Sequence, residues 1–99
     1  MAKMYNLEKT RAGLLALRKV AHEWNPVTKE LDEVEVAPQV FDHGDGVLKV
    51  SAEDGHGWAD YYNEFGGGYP MIHEKLERFA KERGLFWEWQ NAAVIALYK

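Results

Sequence analysis

The sequence predicts an α+β fold: a two-layer sandwich of a mainly antiparallel four-stranded sheet with two long helices and one short helix, in the order αββααββ. Three observations carry this. Apolar residues recur at helical spacing near the N-terminus and again after Pro70; the spacing drops to strict alternation from Leu31 and in the last fifteen residues; and turn-forming glycine and aspartate clusters separate the alternating runs.

Residues 6–24 place Leu7, Leu14, Leu17, Ala21 and Trp24 on one helical stripe, with Lys9, Arg11, Arg18 and Lys19 off it. Asn6 is suited to the N-cap, and Asn25-Pro26 to ending the helix, because proline disfavours the helical conformation of the residue before it. From Leu31, Val34 and Val36 alternate with Glu33 and Glu35, the pattern of a strand wet on one side, and Pro38 favours an edge position or a bulge. The turn Asp42–Gly46 then leads to a second strand over 47–52, which predicts a hairpin of 31–36 with 47–52.

In EDGHGWADYYNEFGGGYP, Trp58, Tyr61, Tyr62 and Phe65 stand at i, i+3, i+4 and i+7, which predicts a short helix with Asp60 and Glu64 on its other side, stopped by Gly66–Gly68. Pro70 opens the next helix, whose stripe is Ile72, Leu76, Phe79 and Ala80, and Gly84 follows Arg83 as a left-handed C-cap. The tail predicts two strands around a turn near Asn91-Ala92. One hairpin face is then expected to hold Leu85, Trp87, Trp89, Val94, Ala96 and Tyr98, the other Phe86, Glu88, Gln90, Ala93, Ile95 and Leu97. Both would be apolar, which leaves one for a protein interface.

Ninety-nine residues with 46% hydrophobic content are expected to form a single domain, residues 1–99. There is no cysteine, which excludes disulfides, thiolate metal sites and a cysteine nucleophile. The N-terminal residues lack the apolar core of a signal peptide and no apolar run is long enough to span a bilayer, so a soluble cytoplasmic protein without membrane attachment is expected. The net charge of −4 is unevenly spread: residues 1–24 hold five bases and two acids, residues 28–64 two bases and ten acids, and residues 65–99 five bases and four acids. Such a field disfavours direct nucleic-acid binding and favours a protein partner with a basic surface.

The candidate chemistry is thin. His43, His56 and His73, with nearby acids, could in principle ligate a divalent ion or act as bases, but no spacing matches an established metal motif, and neither a metal nor another cofactor is assigned. GGGYP lacks the Lys-Ser/Thr ending of a phosphate loop, and Ser51 lacks the context of a nucleophile elbow. No catalytic residue is assigned. The aromatic and acidic set Asp54, Trp58, Asp60, Tyr61, Tyr62, Glu64, Phe65 and Tyr69 is the expected partner-binding surface, since Trp and Tyr anchor interfaces and acids steer basic partners. The expectation is a small acidic protein-binding or regulatory module without catalytic activity. It could act as an inhibitor that occupies a basic surface on its partner, and it could form a homodimer through the C-terminal hairpin. The alternative is a small enzyme or metal- or anion-binding domain built from the histidines and acids of residues 42–74, which requires them to converge in one concave site.

Overall fold

The computed structural model describes residues 5–62 and 71–99. Within them helices and antiparallel strands are mixed, as an α+β chain requires, but the order of elements is not the expected one. Helix α1 spans Leu7–Leu15 and is followed by strands β1 (Lys19–Asn25), β2 (Glu30–Val36), β3 (Val40–Phe41), β4 (Lys49–Ser51), β5 (Ala59–Asp60) and β6 (Met71–Ile72). Helix α2 (Glu74–Glu82) and strands β7 (Phe86–Asn91) and β8 (Val94–Tyr98) complete the chain. The strands form three separate antiparallel sheets, β1-β2, β3-β4-β8-β7 and β5-β6.

Helix α1 begins as expected: Asn6 caps it, its side-chain oxygen accepting the Lys9 N–H at 2.9 Å. It ends nine residues earlier than the apolar stripe predicts. Past Leu15 the same residues also alternate, with Val20, His22 and Trp24 against Lys19, Ala21 and Glu23, and a partner strand of equal length follows. Seven cross-strand pairs from Lys19↔Val36 to Asn25↔Glu30 outweigh about two and a half further turns of helix. The Arg18 side chain accordingly turns back to donate to the freed carbonyls of Leu15 and Leu17.

Asn25-Pro26 is therefore the start of a hairpin turn rather than a helix stop. The Asn25 side-chain oxygen accepts the N–H of Val27 at 2.9 Å, and the Lys29 N–H donates to the Asn25 carbonyl at 2.8 Å. Lys29 closes the loop at φ 57°, a left-handed conformation seldom taken by a side chain of its length. Because β2 is taken by β1, the expected pairing of 31–36 with 47–52 does not occur. Val40–Phe41 pairs with Lys49 and Val50 in its place.

The predicted short helix does not form over its described residues, where the chain bends into and out of the two-residue strand Ala59–Asp60. Ala59 pairs with Ile72 and Asp60 with Met71, and the His73 N–H donates to the Trp58 carbonyl at 2.8 Å. The i, i+3, i+4 spacing of its aromatics was a coincidence of composition; Asp54 and Gly57 (φ 77°) turn the chain directly into strand.

The second helix begins later than expected: Ile72, assigned to its stripe, lies in β6 and pairs with Ala59, and α2 starts at Glu74 with His73 as its cap. Gly84 at φ 68° follows it, and the terminal hairpin forms where the sequence places it. The hairpin register is shifted by one residue on β8, at an irregularity between Trp89 and Asn91. Trp87 thus lies opposite Leu97 and Trp89 opposite Ile95 on one face, while Phe86, Glu88, Ala96 and Tyr98 share the other. The first set joins Leu48, Val50, Leu14 of α1 and Leu76, Phe79 and Ala80 of α2 in the core. The hairpin is therefore apolar mainly on its core side; of its other face, Phe86 is the one large apolar residue that is strongly exposed.

The β1-β2 hairpin stands apart from this core. The molecule measures 52 × 26 × 24 Å, and seven residues of strand span about 23 Å, close to the excess of the long axis over the others.

Candidate functional site

The residues expected to form a binding face do not share one. Trp58 is fully buried, its ring edge-on to His73 at a centroid distance of 5.2 Å, and Asp60 is buried beside it in β5. Both belong to the interior, so the expectation that they face a partner is corrected. Tyr61 packs edge-on against Trp89 at 5.3 Å and against Tyr62 at 5.2 Å; of these rings Tyr62 is the exposed one. Glu64, Phe65 and Tyr69 lie outside the described residues.

Asp54 is committed to its own turn. One carboxylate oxygen accepts the His56 N–H at 2.9 Å, and the other is buried 3.7 Å from His56 Nδ1. On the far side of the ring, Nε2 lies 3.3 Å from Glu23 of β1. His56 thus sits in a line between two carboxylates on opposite ring nitrogens, a geometry that cannot place all three donors around one ion. Lys19 donates to the His56 carbonyl from the root of β1, and burial lowers its ammonium below the ordinary lysine range against the pull of Asp54. Together these contacts fasten the hairpin at its base to the 54–57 turn.

The other two histidines are used locally. His43 lies edge-on to Phe41 at 5.4 Å, and His73 Nδ1 accepts the Lys75 N–H at 3.1 Å as the N-cap of α2. Burial first, and then the Lys19 ammonium, lower the His73 imidazole below its ordinary value. Among the described residues, no group of three or more histidines and acids could hold a metal ion. The acids of the 42–46 turn are also engaged: Asp42 pairs with Arg11, and Asp45 accepts Lys49 Nζ at 2.8 Å, which holds its carboxyl below the usual range.

The hairpin presents a surface that the sequence analysis passed over. Cross-strand pairing puts Val20, His22 and Trp24 of β1 on one face with Leu31, Glu33 and Glu35 of β2, and all six are exposed. Trp24 lies opposite Leu31, and they are 61% and 62% accessible to solvent; Val20 is 52% exposed and Val27, in the loop, 87%. The opposite face behaves differently: Ala21 is buried and Lys19, Val34 and Val36 are half-buried near the root. One side of the hairpin thus holds the arm to the body while the other offers an aromatic–aliphatic pair and two carboxylates to solvent. The signal in the sequence was the alternation of Val20, His22 and Trp24, masked because Leu17, Ala21 and Trp24 also fit a helical stripe.

Among the described residues, no helix is long and apolar enough to cross a membrane. No protein-family model, curated protein or solved structure matches the chain.

Proposed function

We propose that the chain is a non-catalytic protein-binding module that docks through the exposed face of its β1-β2 arm onto a partner with a basic surface. The supporting observation is the Trp24–Leu31 pair, solvent-exposed on an arm anchored at one end. Exposed aromatic and aliphatic groups on a pleated surface have little reason to stay wet unless something covers them. Tryptophan combines a large apolar area with few rotatable bonds, which suits an interface anchor. The carboxylates bias the choice of partner, since beyond Ala21 the arm holds five acids against Lys29 alone.

The experiment is affinity capture from native lysate with the wild type and with a Trp24→Ala/Leu31→Ala variant. A specific partner retained by the wild type and lost by the variant, with unchanged melting, is the expected result. Binding should weaken as salt is raised from about 0.1 M, where charges are screened beyond about 10 Å. Equal capture by the two proteins overturns the reading.

A further inference from the structure

The body of the protein carries a groove of the opposite character to the arm. It runs between the C-terminal part of α1 and the outer side of α2, holds about 410 Å³, and has Leu17 and the edge of Phe79 among its apolar walls. Arg18, Lys75, Arg78 and Arg83 line it against one acid, Glu82. Three of these bases are fixed by the fold. Arg18 caps α1, Lys75 Nζ donates to the Arg18 carbonyl, and the Arg83 guanidinium lies 3.7 Å over the Phe79 ring while donating to the Phe79 carbonyl at 3.1 Å. The groove is thus a rigid cationic surface with an apolar floor, whereas the arm is an anionic surface with an apolar centre.

We propose that the arm's partner is a second copy of this chain, and that two copies exchange arms, each laying its Trp24–Leu31 face in the other's α1–α2 groove. This rests on the docking role of the arm and names its occupant. Charge complementarity favours it: Glu33 and Glu35 share the face of Trp24 and Leu31, and they meet a groove whose bases outnumber its acid. The face is not used within its own chain, since all six of its residues are exposed. Position favours it too. Arg18, in the groove, immediately precedes Lys19 at the root of the arm, and Trp24 and Leu31 lie next to its tip, so two copies with antiparallel arms, the tip of each beside the root of the other, bring each Trp24–Leu31 pair to the other's groove. The contact is then made twice and the pair closes on itself by a two-fold axis, with no open end for further addition. The terminal hairpin is the weaker candidate for self-association, because Phe86, its exposed apolar residue, already packs on Tyr98 at 6.0 Å.

The test is sedimentation velocity of the full chain from about 5 to about 500 µM at about 50 mM salt, where charge pairs are least screened. A monomer–dimer equilibrium is expected. Glu33→Lys/Glu35→Lys on the arm and Arg78→Glu in the groove should each weaken it by about tenfold or more. An equimolar mixture of these two variants should associate more strongly than the Glu33→Lys/Glu35→Lys variant alone, since in the mixed pair one of the two contacts keeps its native charges on both sides. Arg78→Ala, which removes charge without adding an acid to α2, should give a smaller loss with unchanged melting. A wild type that stays monomeric throughout, or a dimer indifferent to both charge variants, overturns arm exchange and leaves the docking role to the capture experiment. If Trp24→Ala/Leu31→Ala alters neither self-association nor capture, both readings fail.

Discussion

The Tyr5 hydroxyl accepts the amide N–H of Leu48 at 2.9 Å, and the same oxygen donates its proton to the carbonyl of Leu97 at 2.7 Å. One phenol thereby continues the β4-β8 ladder where the strands part, next to the Leu97 N–H to Leu48 carbonyl bond at 2.9 Å. Burial raises the phenol above its ordinary value, with the Leu48 N–H acting in the opposite direction. A Tyr5→Phe variant leaves two backbone groups at the edge of the core without this partner. It should lose about 1–3 kcal/mol in urea unfolding. Tyr98→Phe, whose hydroxyl accepts only from the exposed Gln90 side chain at 3.0 Å, should stay within about 0.5 kcal/mol of wild type.

Trp58 and Trp24 are expected to respond in opposite ways to truncation. Trp58→Ala empties a fully buried site and should cost about 3–5 kcal/mol, enough to unfold much of a marginally stable chain. Trp24→Ala removes an exposed ring and one cross-strand contact, and global unfolding should move by no more than about 1 kcal/mol. Equal losses at the two positions would mean that the arm is part of the cooperative core.

Gly84 takes φ 68° with open space where a side chain would begin. Gly84→Ala should therefore cost about 1–2 kcal/mol from backbone conformation alone. Gly84→Asn, whose side chain tolerates the left-handed region, should cost less. Urea midpoints of the two variants and the wild type decide this.

His73 gives the stability a definite pH dependence. Its folded-state value is lowered from 6.5 by burial and by the Lys19 ammonium, with Glu74 opposing and Lys75 adding to the fall. The unfolded chain therefore takes up the proton at higher pH than the folded one. The stability this position contributes is intact above about pH 6.5 and declines as the pH falls from there toward the folded value. Protonation at Nδ1 would also remove the acceptor that caps α2. His73→Asn retains a capping oxygen without titrating, so its loss of stability between about pH 7.5 and about pH 5.5 should be smaller than that of the wild type.

Where one periodicity dominated, the sequence was a sound guide. The body of the Glu74–Glu82 helix, its glycine cap and the Asn6 cap depend on local signals, whereas the start of that helix was placed too early because Ile72 pairs with Ala59, and the faces of the terminal hairpin were missed by the one-residue shift near Trp89. Residues 16–25 were misread because Leu17, Ala21 and Trp24 satisfy a helical stripe while Val20, His22 and Trp24 satisfy an alternating one, and only the partner strand at 30–36 decides between them. Trp58 and Asp60 were misplaced for a related reason: Ala59 pairs with Ile72 thirteen residues later, a contact no local spacing encodes. The binding face was sought where aromatics are dense. Density marks the core here, and the exposed pair, Trp24 and Leu31, is brought together across the four-residue turn 26–29.

The four tryptophans are unequally reached by water: Trp58 and Trp87 are buried, Trp89 is half-buried and Trp24 stands at 61% exposure on the arm. The molecule thus carries an optical reporter on the surface assigned to docking. A collisional quencher such as acrylamide should extinguish the red-edge emission of Trp24 first, and a blue shift with loss of that quenching would register the covering of the arm without any label.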